Sequence, residues 1–108
     1  MDSNEIYNQV ISRFPNKIIP DLLKAMLQEA CEHVANSTIE DTDKSTYAII
    51  AFGATIPPFK AMLEAAFHNS NSVSLNYRGQ TFDLTPETPY LKELFSISDG
   101  LQKLYKDL

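Results

Sequence analysis

One stretch constrains the fold more than any other: Thr46 to Phe67, reading TYAIIAFGATIPPFKAMLEAAF. It carries no charge before Lys60, has a glycine and a double proline at its middle, and ends in a helical stripe. So apolar a segment has to be covered by the rest of the chain, because its exposure to water is unfavourable. Two helices before it, and a hairpin and a last helix after it, have to be arranged around it.

The 108 residues suffice for one hydrophobic core, and a single globular domain, 1–108, is expected. Cys31 is the only cysteine, so no internal disulfide forms, which fits a reducing compartment. The N-terminal MDSNEIYNQV has no basic segment followed by an apolar run, so no signal peptide is expected. Lys60 interrupts the best apolar window short of the ~20 residues of a membrane span. Together these features point to a soluble, cytoplasmic protein with no membrane partner.

Asp2 or Ser3 caps a first helix, on which Ile6, Tyr7, Val10, Ile11 and Phe14 share one stripe. Pro15 ends it. Pro20 and Asp21 open a second helix running to about Asn36, burying Leu22, Leu23, Met26, Leu27, Ala30, Cys31 and Val34. Asn36 to Ser45 reads as a loop. The run Thr46 to Phe52 fits a buried strand ended by Gly53, or a helix on which Tyr47, Ile50, Ala51 and Ala54 share a face. The strand is preferred, because a hairpin further along needs a surface to pair with or lie against.

Pro57 and Pro58 then open a third helix burying Phe59, Met62, Leu63, Ala66 and Phe67. Ser72 to Thr85 alternates as a β-hairpin turning at Arg78-Gly79, with Val73 facing Leu84, Leu75 facing Phe82 and Tyr77 facing Gln80. A longer loop through Gln80 is the alternative, since arginine is a poor first loop residue. Thr85-Pro86 and Thr88-Pro89 are two starts for a last helix whose face includes Leu91, Leu94, Phe95, Ile97, Leu101, Leu104 and Leu108. Lys103 and Lys106 suit its C-terminal end, and Gly100 a break. The expected fold is therefore α+β and helix-dominated, in the order α-α-β-α-β-β-α with the hairpin at about 72–85. An all-α body with one hairpin is the alternative.

Charge supplies the functional lead. Fourteen acids against nine bases give a net charge of −5, which disfavours nucleic-acid binding. Glu29, Glu32, Glu40, Asp41 and Asp43 fall in a window without lysine or arginine. Such a run serves solubility, or it steers the protein toward a basic partner. Tyr47, close behind it, is a candidate anchor, and so are Tyr77 and Arg78 at the hairpin tip.

Catalytic and metal patterns are absent. Cys31 and His33 lie two apart and so point apart on a helix, and His68 has no nearby ligand-type partner. With three glycines, none in a phosphate-loop pattern, no nucleotide-binding or hydrolase motif appears. If Thr46 to Phe52 were a strand, Gly53 and Thr55 would form a strand–loop–helix corner able to bind an anion.

The expectation is a small, acidic, non-enzymatic interaction protein: an inhibitor, an immunity protein or an anti-defence factor occluding a basic partner such as a nuclease. No cofactor or metal is implied. The alternative is a small-molecule or nucleotide-binding module, with a pocket at a homo-oligomer interface. An enzyme using dispersed groups such as Asp83 with His68 is a third class.

Overall fold

The computed structural model describes residues 1–13 and 19–96. Its architecture is helix-dominated α+β. Helix α1 spans Ser3–Ser12, α2 spans Asp21–Ala35, and a short 3-10 turn, Asp41–Asp43, leads into α3, Lys44–Asn69. Strands β1, Val73–Tyr77, and β2, Gln80–Leu84, follow, and residues 89–96 are helical. The expectations for Phe14 and Pro15, and for everything beyond residue 96, lie outside the described residues.

Two compact units divide the chain, Met1–Phe52 and Gly53–Leu108. In the first, the Asp2 carboxylate caps α1 by accepting from the Glu5 N–H at 2.9 Å. Pro20 occupies the position just before α2, where its missing N–H costs nothing. Ile6, Val10, Leu27, Cys31, Val34 and Ala48 form the core, with Phe52 and Ile49 packed against it. That set draws on α1, α2 and the first turns of α3.

The run Thr46–Phe52 is helix, not strand, and α3 does not begin at Pro57 but passes through it. The burial period explains why. Ser45, Ala48 and Ile56 are buried and Phe52 is half-buried, at intervals of three or four residues, which only a helix places on one side. Asp41 and Asp43 meanwhile complement the positive end of the helix dipole. Pro57 and Pro58 lack N–H groups, so the carbonyls of Gly53 and Ala54 lose their usual donors four residues on. An interior proline costs about 3 kcal/mol in an isolated helix; here tertiary packing carries the helix past the pair.

Among the described residues of the second unit, Ile56, Leu63, Leu84, Leu91 and Leu94 are the buried apolar side chains. The hairpin has the expected register, Val73↔Leu84, Leu75↔Phe82 and Tyr77↔Gln80. Its loop is Arg78-Gly79, with φ of 51° and 79°, the double positive φ that a type I′ turn requires. Contrary to expectation, no third strand pairs with it among the described residues. Its support is side-chain burial, completest at Leu84.

Candidate partner-binding surface

The acidic window folds into two neighbouring pieces. Glu29 and Glu32 lie on the exposed face of α2, opposite the residues it buries. Glu40, Asp41 and Asp43 lie at the exposed 3-10 turn. The buried Lys44 links the pieces, because its ammonium donates to the Ala35 carbonyl at the end of α2 at 3.5 Å.

Lys44 also changes the electrostatics. Its Nζ lies 3.2 Å from an Asp41 carboxylate oxygen, and the Met1 amine lies 3.7 Å from the same oxygen. The hydrogen bond from Lys44, then the charge of the amine, hold the Asp41 carboxyl below its ordinary range. Arg13 adds a third cation nearby, its guanidinium donating to Ser45 Oγ at 2.8 Å and Thr46 Oγ1 at 3.3 Å. The acidic stretch is therefore not bare throughout: Asp41 is neutralised from within. Glu29, Glu40 and Asp43 remain exposed and, among the described residues, form no ion pair.

Tyr47 follows Asp43 by one helical turn and is 46% exposed; Ile50, a further turn on, is 38% exposed. Asp43, Tyr47 and Ile50 thus occupy one face of the helical stretch, acid first and apolar after. Of the face that a helical reading of Tyr47, Ile50, Ala51 and Ala54 would assign to the core, Tyr47, Ile50 and Ala54 are exposed, and half-buried Ala51 alone packs against the core. Met62 departs the same way. Placed on the buried stripe by its spacing, it is 47% exposed, whereas its neighbour Leu63 is fully buried.

Other expected sites separate from this surface. Tyr77 and Arg78 belong to the hairpin in the second unit, with Arg78 exposed and Tyr77 half-buried. Gly53 and Thr55 lie inside α3, so the strand–loop–helix corner proposed for anion binding does not form. Their N–H groups belong to a helix interior rather than to an open N-terminus. Among the described residues no three His, Cys, Asp or Glu side chains cluster as metal ligands. Cys31 is fully buried. Burial first, and the Glu32 charge second, push its thiol up to about 11, the behaviour of an inert core cysteine.

The spacing Asp41–Lys44, an i, i+3 ion pair, was present in the sequence as a sign that one acid is compensated. The exposure of Ile50 and Met62 had no such sign, since nothing in their spacing separates them from core residues. By length and composition the helical stretch Asp41–Asn69 would also suffice to cross a membrane, and 17% of its apolar window is buried, whereas the core helix of a soluble protein is mostly buried. No protein-family model, curated protein or solved structure matches this chain.

Proposed function

We propose that this chain is a small non-enzymatic interaction protein whose acidic surface, with Tyr47 at its edge, docks on a basic face of another protein and occludes it. An inhibitor or immunity protein acting on an enzyme with a basic active-site face, such as a nuclease, is the form of this reading that its size and charge favour. The observation that carries it is the placement of exposed Asp43 one turn before exposed Tyr47, with Glu40 just before them in the chain and exposed Glu29 on α2, neither of them in an ion pair. Uncompensated acids raise the encounter rate with a cationic surface, and an aromatic side chain supplies the desolvated contact that holds it. Asp41, already paired with Lys44, contributes little to that steering.

Capture from a lysate of the source cells tests the reading. Immobilised wild-type protein retains a basic protein that added salt releases. Asp43→Lys slows its association, and Tyr47→Ala weakens binding by about 2 kcal/mol, roughly thirtyfold, the loss typical of an interface anchor. Equal retention by wild type and both variants, at low and high salt alike, contradicts the proposal.

A further inference from the structure

Within the first unit, the helical stretch that opens α3 carries an acid, an aromatic and an aliphatic residue in order along one face. They are Asp43, Tyr47 and Ile50, all exposed. Four residues separate Asp43 from Tyr47, a helical spacing that brings β-carbons within about 5–6 Å. Carboxylate and ring therefore border one patch of surface, with Ile50 a turn beyond. Among the described residues Asp43 forms no ion pair. The cations of this region are committed elsewhere. Buried Lys44 sets its ammonium on the Ala35 carbonyl and on Asp41, and the Arg13 guanidinium donates to Ser45 Oγ and Thr46 Oγ1. Glu40, three residues before Asp43, is likewise exposed and outside any ion pair. The acid end of the patch thus keeps its charge for an incoming cation.

The shape of that cation decides how well the patch holds it. A lysine ammonium is a compact, strongly hydrated point charge, which a carboxylate alone satisfies. An arginine guanidinium is planar. Its edge forks onto a carboxylate through two parallel hydrogen bonds while its flat face stays free. An aromatic ring whose centre lies within about 6 Å attracts that face through its negative quadrupole. Asp43 and Tyr47 offer both contacts to one guanidinium, and Ile50 offers an apolar neighbour to the methylene stem behind it.

We infer that Asp43 and Tyr47 form a receptor for one arginine side chain of the partner, held at its edge by the carboxylate and across its face by the ring. The inference rests on the partner-binding reading and sharpens it. The basic face that docks here presents arginine at Tyr47, and lysine does not replace it. Charge brings the partner in, and the ring chooses the residue.

Titration of the full chain with two synthetic peptides tests the choice. One alternates glycine with four arginines, and the other is its lysine counterpart of equal length and charge. At low salt the arginine peptide binds roughly fivefold tighter. Tyr47→Leu keeps an apolar side chain at this exposed position and brings the two affinities together, by weakening the arginine peptide only. Equal affinities in the wild type, or a preference that survives Tyr47→Leu, overturn the arginine receptor and leave the acidic docking reading standing. Binding of neither peptide overturns both. A wild-type chain that dimerises in sedimentation and sheds the arginine peptide as it does so gives the face to a second copy, and overturns the receptor equally.

Discussion

Helices α2 and α3 both bury apolar residues, yet they announce it in opposite ways. α2 alternates its apolar stripe with Lys24, Gln28, Glu29, Glu32 and His33, all exposed, so its two sides are told apart by residue type. α3 turns large apolar residues both inward and outward. Ala48, Ile56 and Leu63 are buried, while Tyr47, Ile50 and Met62 face water. α2 buries its apolar side and turns a charged one to water. α3 leaves the large apolar side chains Tyr47, Ile50 and Met62 uncovered by the rest of the described residues, the kind of exposure that distinguishes it from α2.

The largest expected effect tests the α2 side. Leu27→Ala removes a buried side chain from the core shared with Ile6 and Val10 and destabilises by about 2–5 kcal/mol in denaturant unfolding. Ile50→Ala, of similar size but exposed, changes the stability of the monomer by no more than about 0.5 kcal/mol. Equal costs at the two positions would break the contrast. Next comes the proline pair. Pro57→Ala restores an interior N–H and raises stability by up to about 3 kcal/mol, read as a higher unfolding midpoint. A loss of stability would mean that the pair sets a local geometry the packing of α3 requires.

Cys31 sharpens the α2 side further. With its thiol raised to about 11, it resists alkylation at neutral pH in the folded protein and reacts on unfolding. Its folded value exceeds its unfolded one, so whatever stability this adds is full below the unfolded pKa and is lost as pH climbs through about 11. Fast native labelling would show that the core opens around it. Smallest is Asp41, exposed and screened. Its folded pKa is depressed, so its contribution is present above the ordinary carboxylate range and disappears as pH falls through the lower, folded value. Asp41→Asn therefore flattens the acid limb of the stability profile slightly and leaves neutral pH nearly unchanged.

Much of this was legible residue by residue. The hairpin register followed from strict alternation on either side of Arg78-Gly79, because a slip of one residue would turn Leu75 and Phe82 outward. The second helix followed from Pro20-Asp21 and its stripe. The third did not, because Gly53 and the two prolines are punctuation that local rules read as breaks. Burial at Ala48, Ile56 and Leu63 overrode them, a tertiary effect with no local sign. The acidic stretch was half legible: Glu29, Glu40 and Asp43 are exposed as expected, whereas Lys44, the next residue along the chain, neutralises Asp41.

The chain contains no tryptophan, so Tyr47→Trp plants a single reporter on the outer side of α3. Its emission, recorded as the basic protein captured from the lysate is titrated in, reads directly whether that side becomes covered. A progressive shift to shorter wavelength, diminished by Asp43→Lys, is the predicted result. Emission fixed at the water-exposed position over the whole series would contradict it.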